Sequence, residues 1–71
     1  MIPGQVLTID ELRALPDKDW HVGGKPARNS KRAKRALITL AKGGLPVIVL
    51  ACSEGVLEFF AVGFEYSIPL E

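Results

Sequence analysis

The sequence predicts a small α+β domain, and three observations carry the prediction. Two helical segments have capping residues at their starts, a β-branched run follows a glycine and proline break, and one glycine marks a turn between two apolar stretches. In chain order these give a short N-terminal helix, a long irregular loop, a basic amphipathic helix and a C-terminal antiparallel β-hairpin. The pattern has room for a third short strand at the end. With 71 residues there is one domain, residues 1–71. A chain of this size buries only about 60% of its unfolded surface, so one core must hold it. A single cysteine, Cys52, excludes an intramolecular disulfide, and one cysteine with one histidine makes no zinc-ligand set. Close packing or self-association must therefore supply the stability, and an apolar fraction of 48% is enough for the first.

The first helix is announced by Thr8-Ile9-Asp10-Glu11, a capping box in which the Thr8 hydroxyl accepts from the Glu11 amide while the Glu11 carboxylate accepts from the Thr8 amide. Leu7 and Leu12 hold the two hydrophobic-staple positions. Asp10 and Glu11 suit the positive end of the helix dipole, and Pro16 stops the element, which spans 9–15. So short a helix does not hold by itself in water, so Ile9, Leu12 and Leu15 are expected to pack on the rest of the chain. The segment that follows, up to Asn29, holds too many Gly, Pro and charged residues for a regular element. Trp20 and Val22 are its candidate anchors to the core.

The second helix starts at a cap on Asn29 or Ser30, runs to Ala41 or Lys42, and is closed by Gly43-Gly44 with Pro46 just beyond. At about 100° per residue, Ala33, Ala36, Leu37, Leu40 and Ala41 gather on one side. Lys31, Arg32, Lys34, Arg35 and Lys42 occupy the other, with Ile38 among them. After Pro46 the pattern becomes VIVLAC, then Ser-Glu-Gly, then VLEFFAVGF. This reads as two strands and a three-residue turn in which Gly55 takes positive φ. The first strand is apolar on both faces, Val47, Val49 and Ala51 against Ile48, Leu50 and Cys52. The second sets Leu57, Phe59 and Ala61 against Glu58, Phe60 and Val62. A helix covers one face only, so the other calls for the N-terminal segment, a second copy or a partner. A third strand would centre on Tyr66 to Ile68, before Pro69.

Charge is the main functional signal. Residues 25–42 hold seven of the nine basic residues and no acid, while residues 1–24 carry a net −2 and residues 43–71 a net −4. An ordinary solvated helix mixes Glu with Lys at i,i+4, worth roughly 0.2–0.5 kcal/mol per pair. This helix instead sets Lys31 against Arg35 and puts Lys31 and Arg32 in the first turn, where the dipole disfavours cations by about 0.3–1 kcal/mol each. A passive charged surface is the plainer explanation, but stability alone does not select this arrangement; docking against an anion does. The binding residues expected are Lys25, Arg28, Lys31, Arg32, Lys34, Arg35, Ile38 and Lys42. Ile38 as an apolar anchor ringed by cations suits a protein groove; its alternative role is packing on the chain's own core.

Other motifs are weaker. GGKPARNSKR lacks the spacing of a phosphate-binding P-loop and no strand or magnesium-holding acid accompanies it. Trp20 beside His21 would suit an interaction hot spot if exposed, though core anchoring is its plainer role. Cys52 has no cationic neighbour to lower its pKa and is expected to be a small buried hydrophobe. Glu58 on its strand is expected to find a cross-strand or basic-helix partner. No cofactor, metal site or catalytic group is expected, nor an enzyme. The longest apolar run, 45–52, has eight residues, against the roughly 20 of a membrane-spanning helix. With no basic then apolar leader at the start, a cytoplasmic protein is expected.

These properties predict a small non-enzymatic regulatory protein that binds a nucleic-acid-processing machine, such as RNA polymerase or a nuclease complex, through the basic helix, modulating or inhibiting it. The expected partner is an acidic protein surface or a nucleoprotein complex. Direct contact with the phosphate backbone of DNA or RNA is the alternative, without a helix-turn-helix, zinc finger or RNA-recognition signature. A self-associating assembly subunit, or homodimer, is the second alternative.

Overall fold

A computed structural model describes residues 1–70. Its elements are α1 (Ile9–Arg13), β1 (His21–Val22), β2 (Lys25–Pro26), α2 (Ser30–Lys42), β3 (Ile48–Ser53), β4 (Val56–Ala61) and β5 (Phe64–Pro69). The strands form one antiparallel sheet in the order β2-β1-β5-β4-β3. This is the α+β class the sequence predicts, with more of the chain in the sheet.

The capping box on α1 is complete: Glu11 N donates to Thr8 Oγ1 at 3.1 Å and Thr8 N donates to Glu11 Oε1 at 2.9 Å. The helix ends at Arg13, with Ala14 as its C-cap, two residues before the predicted end. Leu15 N bonds instead to Leu12 O, which turns the chain toward Pro16.

The loop expected between the helices contains a hairpin. His21–Val22 and Lys25–Pro26 pair across Gly23-Gly24, both at positive φ, and β1 then pairs with β5. Such a two-residue turn matches the right-handed twist of the strands and needs φ above zero at both central positions. The β3–β4 turn has the same form. Ser53 pairs with Val56 around Glu54-Gly55, so the loop has two residues where three were predicted. The third strand spans six residues from Phe64, joined to β4 through Val62-Gly63, again both at positive φ.

A bulge between Val49 and Ala51 moves Ala51 opposite Glu58 and Cys52 opposite Leu57, reversing the faces expected for both. Cys52 lies exposed near the end of the edge strand, which corrects the expectation of a buried thiol. The N-terminal segment protects the rest of that edge. Gly4 N donates to Val49 O, Val49 N to Gln5 O and Leu7 N to Val47 O. It runs beside the sheet and does not cover its outer face.

Both helices lie on the other face. There Leu12 and Leu37 meet Val47, Val49, Leu57, Phe59, Ala61 and Ile68 in one core. Phe59 stacks on Tyr66 with ring centroids 5.1 Å apart, and Trp20 meets both rings edge-on at 5.7 and 6.2 Å. Trp20 is 1% exposed and its indole N–H donates to Pro16 O at 2.7 Å. It anchors the β1–β2 hairpin to the core and presents no surface to a partner, so the hot-spot role is excluded by burial. Among the described residues no helix is long and apolar enough to cross a membrane.

Candidate binding site on the cationic helix

Asn29 caps α2, its Oδ1 accepting from Arg32 N at 3.0 Å, and Ser30 Oγ accepts from Trp20 N at 3.0 Å. The cap thus faces the helix while its neighbour ties the helix start to the core tryptophan. No acid stands in the first turn of α2. Its inward side is Ala33, Leu37 and Ala41, with Leu40 half-buried. The outward side carries Lys31, Arg32, Arg35, Ala36 and Thr39, all exposed. Ala36, assigned by the helical wheel to the apolar side, lies with the cations.

Lys34 has a different role from its neighbours. Its ammonium donates to Arg13 O at 2.8 Å, Leu15 O at 2.6 Å and Asp17 Oδ1 at 2.9 Å. An ammonium has three protons, and all three are used. The side chain is 11% exposed. Lys34 therefore caps the carbonyl end of α1 and binds the two helices together, and it is corrected from docking residue to structural pin. The Lys34 hydrogen bond holds the Asp17 carboxyl below its usual range; desolvation opposes it, and the charges of Lys34 and then Lys31 add to the lowering.

The other cations divide into groups. Lys31, Arg32 and Arg35 line an open depression of about 390 Å³ together with Asn29, Ala36 and Thr39. The Thr39 hydroxyl donates back to Arg35 O at 3.1 Å, leaving its oxygen lone pairs outward. Lys25 and Arg28 are exposed on the approach to α2, and Lys42 is exposed at its far end. Among the described residues none of these six forms an ion pair; the two pairs present are Arg13–Asp10 and Lys34–Asp17. Glu58 has no partner there either.

Ile38 is half-buried and packs against the core. Its accessible edge borders a smaller depression of about 180 Å³ with Asp17, Lys31, Lys34 and Arg35. It is a core residue with one edge showing, not an isolated apolar anchor. Sequence reasoning missed Asn29, Ala36 and Thr39 as lining and Asp17 as a partner of Lys34. Ala36 and Thr39 share one helical face with Arg32 and Arg35 by the spacing 32, 35, 36, 39; Asp17, on another segment, has no such signal.

Comparison of the chain with protein-family models, curated proteins and solved structures finds no match.

Proposed function

We propose that this chain is a small non-enzymatic cytoplasmic regulator that docks on a nucleic-acid-processing complex, and that the outward face of α2 contacts phosphate there. The observation that supports this most is the composition of the α2 depression. Three cations, Lys31, Arg32 and Arg35, surround the small side chains of Ala36 and Thr39, and no large apolar group stands between them. A surface of that kind admits a phosphate backbone close to the helix, where arginine forks match phosphate oxygens. The helix start adds its own positive dipole. Arg28 and Lys25 extend the cationic track beyond the helix, and Lys42 prolongs it past Thr39. Modulation or inhibition of the complex would follow from occupying its nucleic-acid path.

Fluorescence anisotropy with a labelled DNA duplex and a single-stranded RNA, titrated over a range of salt, tests this. Four cations engaged, Arg28, Lys31, Arg32 and Arg35, predict a log-log salt slope on duplex DNA of roughly −3 to −4, at about −0.9 per phosphate. Arg35→Ala should make it shallower by about one unit. No binding to either nucleic acid at low salt would refute phosphate contact. An acidic protein surface is the second reading, favoured by the accessible edge of Ile38 beside Lys31 and Arg35.

A further inference from the structure

The outer face of the sheet, turned away from both helices, bears no lysine or arginine. Pairing sets Ile48, Phe60 and Glu65 in one row across β3, β4 and β5, and Ala51, Glu58, Ser67 and His21 in the next. The bridge between Val6 and Ile48 extends the first row to the N-terminal segment. Leu50, the bulged residue, follows buried Val49 and turns outward. Phe60 is 39%, Leu50 42% and Val6 56% exposed, a contiguous apolar patch at one end of the face. The charged groups on this face are Glu58 and Glu65, and neither carboxylate has a hydrogen bond or ion pair among the described residues.

We propose that this face is a second docking surface, and that its occupant is a protein segment with an apolar side flanked by lysine or arginine. Charge complementarity selects that occupant. Covering the Val6, Leu50 and Phe60 patch takes water from Glu58 and Glu65, and desolvated carboxylates require cations. Nucleic acid and anionic lipid bring the wrong sign. A second copy meeting this face with its own places Glu58 and Glu65 of both chains in one layer without a cation. A second copy meeting it with α2 brings cations, but Ala36 and Thr39 between them offer no side chain large enough to seat on Phe60 and Leu50. The proposal stands apart from the phosphate reading, because α2 points its cations to the opposite side of the molecule.

The test uses the whole chain and two labelled synthetic amphipathic peptides with the same leucine side, one with lysine and the other with glutamate on its polar side. The lysine peptide should bind, and Phe60→Ser should weaken it by about tenfold or more. The double substitution Glu58→Lys and Glu65→Lys should weaken it similarly and keep the readout available if the Phe60 variant does not fold. Arg32→Glu with Arg35→Glu should leave this affinity unchanged while abolishing DNA binding, which separates the two surfaces. Insensitivity to the Glu58 and Glu65 reversal, or preference for the glutamate peptide, would overturn the proposal. So would sedimentation showing a dimer that Phe60→Ser dissociates, since the face would then belong to a second copy.

Discussion

Replacing Lys34 by methionine separates structural from docking cations within one helix. Methionine keeps the aliphatic stem, so what is lost is the ammonium and its three acceptors. Arg13 O and the Asp17 carboxylate are exposed, and water takes the place of the ammonium there. Leu15 O is part-buried, held at 2.6 Å, and loses its donor. An acceptor stranded in that way costs about 1–3 kcal/mol, so the expected destabilisation is about 2 kcal/mol. In a domain of this size each kcal/mol moves the melting temperature by about 4–8 °C, giving a fall of about 8–16 °C.

Arg35→Met should behave in the opposite way. Arg35 is exposed, faces Lys31 one turn away and has no ion pair among the described residues, so its loss changes stability by no more than about 0.5 kcal/mol. Thermal unfolding followed by the emission of the single tryptophan, Trp20, measures the first quantity, and the salt slope on duplex DNA measures the second. Lys34→Met should melt early with an unchanged slope, and Arg35→Met should melt normally with a slope shallower by about one unit. If Lys34→Met melted like the parent protein and lost slope, Lys34 would be a docking cation and the division of the basic face would fail.

The Asp17 carboxyl is held low by Lys34, so its contribution to stability is present above the ordinary carboxyl pKa and lost as pH falls through the lowered folded value. Acid unfolding below about pH 4 should accordingly be less steep in Asp17→Asn than in the parent. Burial raises the pKa of Tyr66, the single tyrosine, from its ordinary value of 10.0. That contribution is present below pH 10 and lost as pH rises through the raised value, so tyrosinate absorbance should half-develop above 10 in the folded protein and near 10 in denaturant. Val62 is β-branched at φ 55° in the turn before β5. Its left-handed conformation stores about 1–2 kcal/mol, so Val62→Asn should raise the melting temperature by about 4–16 °C, and an unchanged or lower one would refute the strain.

What the sequence made legible was the part of the fold specified by near neighbours. Thr8 and Glu11 lie three residues apart, Asn29 and Arg32 likewise, and both caps form as the spacing requires. The β3–β4 pairing and its core residues Val47, Val49, Leu57 and Phe59 follow from alternation. Strands of two residues, as in His21–Val22 and Lys25–Pro26, have no period to detect. Gly23-Gly24 was their one signal, and it resembles a linker until β5 supplies an edge for β1. The bulge at Leu50 leaves no mark in an apolar run, yet it exchanges the faces of Ala51 and Cys52. Lys34 was illegible for a further reason. A helical wheel places Cα directions, whereas a long side chain reaches acceptors on another element, here 17 to 21 residues away.

That reach changes how the basic block is to be weighed. Seven cations in residues 25–42 looked like one electrostatic feature, with Ile38 as its apolar centre. Lys34 is committed to α1 and Ile38 packs on the core, so neither explains why none of the remaining six is ion-paired among the described residues. Stability does not explain it either: Lys31 and Arg32 still oppose the dipole at the start of α2, and a Glu at position 31 would favour the same helix. Placement against local stability, on a face whose small residues Ala36 and Thr39 leave room for a close approach, is what supports the proposed phosphate contact.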